Sequence, residues 1–172
     1  MRRKRQALPA HECVEILRTA TSGVLALVGA DGWPYAVPLN HAWENGSLYF
    51  HCAVAGRKVD AMRHCAKACF TAIAQDIIVP AKYTSRYKSV MCFGRIAILE
   101  GDEERRHALH LIAERCNPGA DAAFAEEMRR NARRTLALRL DIDYMSGKEG
   151  LELARERRND PGMDAFGDAY GE

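Results

Sequence analysis

Two tight-turn dipeptides, Asp31-Gly32 and Asn45-Gly46, constrain this chain most strongly. Asn, Asp and Gly tolerate the positive φ angles that a two-residue hairpin demands, so each pair can fold an extended chain back on itself. The flanking segments have strand length and strand composition. Val24–Val28 is a nearly continuous apolar run, Trp33–Trp43 returns from the first turn, and Ser47–Cys52 leaves the second. A three-stranded meander is the expectation. Its middle strand carries Pro34 and Pro38, which have no N–H to donate, so part of it should face something other than a neighbouring strand.

The rest of the pattern adds strands faster than helices. Residues 1–8 read as a solvated basic arm, and Pro9–Ala20 as a short amphipathic helix. After Ser47–Cys52 the small residues Ala53–Gly56 turn the chain. A helix then runs to about Lys67, with Val59, Met62 and Ala66 on one face. Ala68–Ala74 reads as a fourth strand, Asp76–Lys88 as an irregular loop, and Ser89–Leu99 as a long strand with Gly94 at a bulge or close approach. Asp102 reads as an N-cap followed by two glutamates, and Leu109, Ile112, Ala113 and Cys116 share a helical face that Asn117-Pro118-Gly119 ends. Ala122–Arg134 reads as a further helix on Ala125, Met128 and Ala132. Leu136, Leu138, Leu140 and Ile142 then alternate with Ala137, Arg139, Asp141 and Asp143, the mark of a half-buried strand. The expected class is mainly β with peripheral α: six antiparallel strands in a closed or nearly closed barrel. Residues 1–150 form the expected domain. Residues 151–172 form an extension, first charged and helical, then acidic and disordered.

Composition narrows the function classes. A chain of 172 residues, 48% hydrophobic and 28% charged, has a globular composition. A net charge of +2 gives no footprint for nucleic acid. No apolar run approaches the roughly 18 residues of a membrane span, and no apolar core follows the basic N-terminus, so a cytoplasmic protein with no membrane partner is expected. The six cysteines form no C-x-x-C pair and read as reduced, buried thiols, and the six histidines show no metal-ligand spacing. There is no G-x-S-x-G, no H-E-x-x-H, no Walker loop and no G-x-G-x-x-G. Chemistry, if present, belongs to a bound cofactor.

One stretch has the parts to hold such a group. Ser47–Arg63 runs strand, glycine turn, helix start, with Arg57 and Lys58 at the helix start and His51 in the strand before it. Free N–H groups beside two cations make a phosphate seat, although the same cations also suit a solvated helix face. A flat ring joined to that phosphate could lie along the second and third strands, with the backbone of Val37–Asn40 bonding its polar edge.

These residues carry a resemblance. The chain resembles the flavin-binding split-barrel proteins related to pyridoxamine 5′-phosphate oxidase, and within them the nitroimidazole-resistance branch. The matching motifs are MRRK at the start, GVLALVGADGWPYAVPLNHAW at 23–43, GSLYFHCAVAGRKVDAMR at 46–63, ACF at 68–70, YKSVMCFGRIAIL at 87–99 and YMSGKE at 144–149. The resemblance implies a six-stranded antiparallel split barrel and a homodimer with FMN at its interface. It also implies an FMN-dependent reductase or oxidase passing electrons to a small molecule, with a nitroaromatic as one candidate. Pro38, Leu39 and Asn40 would line the ring, with Phe50, His51 and Cys52 on the adjoining strand. His51 would be the catalytic residue; Gly56, Arg57 and Lys58 would seat the phosphate. Arg86, Tyr87 or Ser89 would reach the flavin of the partner subunit. Cys52 reads as a small packed residue. Two other outcomes follow from the same family: a flavin- or haem-binding protein without turnover, and a deazaflavin-dependent reductase.

Overall fold

The structure, a computed structural model, describes residues 3–159; the expected acidic tail after Asn159 lies outside them. The elements are β1 (Ala7–Leu8), α1 (Ala10–Thr19), β2 (Gly23–Val28), β3 (Pro34–Leu39), β4 (Ala42–Glu44), β5 (Ser47–Ala53), α2 (Arg57–His64), β6 (Lys67–Val79), β7 (Thr84–Ile98), α3 (Asp102–Cys116), α4 (Asp121–Asn131), β8 (Thr135–Glu149) and α5 (Leu151–Asn159). Eight strands join one sheet in the order β3-β2-β6-β7-β8-β5-β4, with β1 on β8. The chain is therefore mainly β with peripheral helices, with two more strands than the six expected. The chain divides into two compact units. One comprises residues up to Ala20, Thr71–Cys92 and the chain from Met145; the other comprises Thr21–Phe70 and Phe93–Tyr144.

Asn45-Gly46 forms the expected tight turn, with φ 48° and 84°, as a hairpin with two left-handed central residues requires. Asp31-Gly32 instead lies within a longer connection between Val28 and Pro34, in which Gly32, at φ 77°, but not Asp31, is left-handed. The meander does not form. The segment Trp33–Trp43 is broken at Asn40 and His41, so β3 pairs only with β2 and β4 only with β5. Pro34 and Pro38 sit opposite Val28 and Val24 on a strand at the end of the order, where the missing donors cost no ladder bond. At the break His41 is 1% exposed, its ring 4.7 Å from Phe70. Burial of this ring anchors the crossing between the two hairpins.

The larger unit has apolar packing on both sheet faces. Leu48, Phe50 and Cys52 on β5 alternate inward, as do Leu138 and Leu140 on β8. Phe50 lies 5.3 Å from Phe70. Ala137, which the sequence assigns to the outward face of its strand, is fully buried with Leu99, Ala108 and Leu109 under α3. Met128 of α4 packs on that cluster as expected, joined by Phe124 in place of the expected Ala125 and Ala132. Gly94 marks a close approach, as its position in the strand predicts: a Cβ there would overlap the carbonyl of Asp141. Three local expectations shift. Ala66 lies beyond the end of α2 and is exposed; Gly101, not Asp102, caps α3; and Cys116 is exposed at its last turn.

The smaller unit is built from β1, α1, the β6–β7 ribbon end and α5. The basic leader is not a free arm. Lys4–Gln6 forms a 3-10 turn, and Ala7 and Leu8 pair with Lys148 and Gly147 of β8. The predicted loop 76–88 is not a loop either. β6 continues to Val79, Pro80–Lys82 makes a 3-10 turn with Tyr83 left-handed at φ 49°, and β7 begins at Thr84. The β-branched run Ile77–Val79 favours extension despite the polar pair before it. Glu149 is 0% exposed; Arg157 of α5 donates to its Oε1 at 2.6 and 2.9 Å. Ala154 of α5 is fully buried.

Candidate functional site

Arg57 and Lys58 open α2 directly after Gly56, whose φ of 123° only glycine adopts readily. Free backbone donors therefore point away from a two-cation helix start. Arg57 is exposed and Lys58 half-buried. The Arg57 guanidinium is held in place: Nη2 donates to Asp31 Oδ2 at 3.1 Å, and the group lies 5.5 Å above the ring of Tyr35 on β3.

β5 delivers His51 and Cys52 to opposite faces. His51 is exposed and Cys52 is 8% exposed. Desolvation by surrounding protein, and then the charge of Lys58, pushes the His51 imidazole below its ordinary pKa. The ring is thus neutral at pH 7, offering one donor and one acceptor nitrogen. Burial raises the Cys52 thiol, and Lys58 opposes that shift. Both residues feel Lys58, so the end of β5 and the start of α2 form one electrostatic neighbourhood. Cys52 is a packed thiol, not a thiolate nucleophile.

The remaining sequence candidates divide. Pro38 is exposed and Leu39 half-buried near the end of β3. Asn40 is exposed, with Nδ2 donating to the Thr21 carbonyl at 2.8 Å. Phe50 is a correction: it is fully buried against Phe70, so its side chain serves the core and only its backbone could meet a ligand. Arg86, Tyr87 and Ser89 lie in the smaller unit, on strand β7 and not on a loop. Arg86 donates through both terminal nitrogens to Glu156 of α5 at 2.7 Å, and Tyr87 carries Lys148 5.4 Å over its ring. The Arg86–Glu156 clasp and the Asp31–Arg57–Tyr35 arrangement escape sequence reasoning because each joins residues far apart in the chain.

Among the described residues, His110, Glu114 and Asp121 place potential metal-ligating atoms within 4.8 Å of one another. Each already has a protein partner. His110 meets Asp121 at 3.1 Å, and both Glu114 oxygens accept from the Gly119 N–H.

An antiparallel sheet thus carries His51 on the strand that leads into an exposed cationic helix start. The chain belongs to the pyridoxamine 5′-phosphate oxidase family, whose model matches residues 9–149. The chain has the mainly β, split-barrel fold of that family. No curated protein matches it. Among solved structures it is similar to a candidate 5-nitroimidazole antibiotic resistance protein from Bacteroides thetaiotaomicron, with 26% identity, TM-score 0.70, and 83% and 86% of the two chains covered. It is likewise similar to an FAD- and haem-binding protein from Mycobacterium smegmatis, at 26% identity and TM-score 0.72 over 86% and 74% of the chains. A third is an FAD-binding protein from Mesorhizobium loti, at 27% identity and TM-score 0.59 over 84% and 97%. No helix among the described residues is long and apolar enough to cross a membrane.

Proposed function

We propose that this protein is a flavin-dependent oxidoreductase that reduces a small acceptor, with nitroaromatics as the first class to test. The observation that carries the reading is the placement of Arg57 and Lys58 at the start of α2, directly after the Gly56 turn and the strand that carries His51. It puts a phosphate-pairing cation and a hydrogen-bonding imidazole in one place, as a phosphorylated ring cofactor such as FMN needs. Arg57, Lys58 and the Gly56 turn hold the phosphate. Pro38, Leu39 and Asn40 flank the ring, and neutral His51 donates a hydrogen bond to the acceptor. When bound, the flavin supplies the electrons; the protein supplies position and hydrogen bonding.

The working unit in this reading is a homodimer. Support comes from the apolar residues of the β6–β7 ribbon that face solvent in the single chain: Ile73, Ile77, Ile78 and Tyr83 are 62%, 53%, 75% and 100% exposed. Exposed apolar groups in such a cluster mark an interaction surface. Arg86, Tyr87 and Ser89 reach a partner's flavin only if the Arg86–Glu156 clasp opens or Tyr87 and Ser89 serve alone.

The absorption spectrum of the purified protein tests the assignment. Flavin bands bleached by dithionite are expected, and Lys58→Ala should weaken FMN binding by roughly 1.5–3 kcal/mol. A colourless protein that takes up neither FMN nor FAD refutes it. The relative that binds FAD and haem supports a second reading, binding without turnover; a Soret band with no acceptor reduction would establish it.

A further inference from the structure

The net charge of +2 hides a segregation of charge. Among the described residues, the larger unit carries thirteen cations and thirteen acids. The smaller unit carries eleven cations against six acids, a surplus of five. Four of those six acids are already tied: Glu152 to Lys82, Glu156 to Arg86, Glu12 to Lys88 and Glu149 to Arg157. The glutamates of α5 thus serve its own unit. Arg155 and Arg158, three residues apart and so on one helical face, are left exposed. The N-terminal leader is brought beside this helix. α5 packs on the Lys4–Gln6 turn. Arg157 Nη2 donates to the Ala7 carbonyl at 2.9 Å, and Gln6 Nε2 to the Glu149 carbonyl at 3.0 Å. Arg3, Lys4 and Arg5 are exposed there. None of these five cations is paired with a carboxylate of the described residues.

A row of exposed cations is ordinarily a solvated face. Here the chain itself supplies a matching anion. Residues 160–172 follow directly on the last residue of α5 and carry Asp160, Asp164, Asp168 and Glu172 with no base. Thirteen residues can reach at most about 45 Å, whereas α5 is only about 13 Å long. The leash is ample, and it holds the acids near the face at roughly millimolar effective concentration. We propose that the basic face formed by Arg155 and Arg158 with Arg3, Lys4 and Arg5 seats the acidic residues 160–172 of the same chain. The tie is ionic and exposed, so it is reversible and weakened by salt. While it holds, the face is withheld from outside polyanions.

Zero-length carbodiimide coupling of the full chain, read by peptide mass spectrometry, tests this, because Lys4 brings an amine to the face. The Lys82–Glu152 pair, at 3.0 Å, serves as the internal standard. Lys4 should couple to Asp164, Asp168 or Glu172 at low salt, and the yield should fall in about 0.5 M salt. Arg155→Gln with Arg158→Gln should lower that yield roughly two- to fivefold, the worth of exposed pairs, and leave the Lys82–Glu152 product unchanged. Coupling of Lys82 to Glu152 without coupling of Lys4 to residues 160–172 overturns the inference. So does a Lys4 yield indifferent to the double variant. In a mixture of isotope-labelled and unlabelled chains, Lys4 products that join the two labels would overturn it in favour of a second copy's acidic residues. An equimolar oligonucleotide that abolishes the Lys4 product would overturn it in favour of nucleic acid as the occupant.

Discussion

His51 ties stability and chemistry to one proton. Desolvation and Lys58 disfavour its charged form in the folded chain. In the unfolded chain the ring protonates near its ordinary value of about 6.5. Above that value both states are neutral and the contribution is intact. As pH falls through it, the unfolded chain takes up the proton first and stability is lost. His51→Gln should therefore soften the loss of stability between about pH 8 and about pH 5, read as the shift in urea midpoint at each pH. An equal or steeper loss in the variant would contradict the depressed pKa. The same variant should retain flavin and lose acceptor reduction, because glutamine keeps polarity but not the imidazole geometry. Cys13 behaves in the opposite sense: burial, helped by Glu12, pushes its thiol up to about 11, leaving it inert in the folded protein.

Among the elements, α5 is the one whose role the sequence conceals. Its charged residues look like a solvated extension, yet they clasp the smaller unit: Lys82 to Glu152 at 3.0 Å, Arg86 to Glu156, and Arg157 to Glu149 and the Ala7 carbonyl. Most of these are exposed pairs of little energetic weight. Arg157–Glu149 differs because Glu149 is 0% exposed and its second oxygen has no hydrogen-bond partner. Removing Arg157 would strand that carboxylate. Arg157→Met should cost roughly 3 kcal/mol by chemical denaturation, and adding Glu149→Gln should return much of it. A loss under about 1 kcal/mol would show that the pair is solvated. The sequence hides such ties because they depend on long-range pairing, whereas turns are local. Asn45-Gly46 and Gly94 are readable from residue type alone. The break at Asn40–His41 is not, because it depends on His41 finding Phe70. For the site the division is the same: Gly56, Arg57, Lys58 and His51 lie in one continuous stretch and are legible together. Asp31 and Tyr35 come from another hairpin, and the burial of the Phe50 side chain is hidden because alternation alone does not say which face is core.

At the scale of the molecule, the apolar ribbon residues and the site proposal point to the same test. Light scattering during gel filtration should give twice the chain mass, and Ile78→Asp should shift the protein toward the single-chain mass while leaving its circular dichroism unchanged. A single-chain mass for the unaltered protein would contradict the dimer. The way the smaller unit is assembled also bears on how the protein is made. Its parts come from residues up to Ala20, from Thr71–Cys92 and from Met145 onward. During synthesis the apolar face of α1, carrying Cys13, Ile16 and Leu17, leaves the ribosome well before the strand end and helix that complete its unit. The larger unit, finished by Tyr144, can close first. The nascent chain thus carries an unsheltered amphipathic helix until the chain from Met145 has emerged, an interval in which a chaperone would find a ready client.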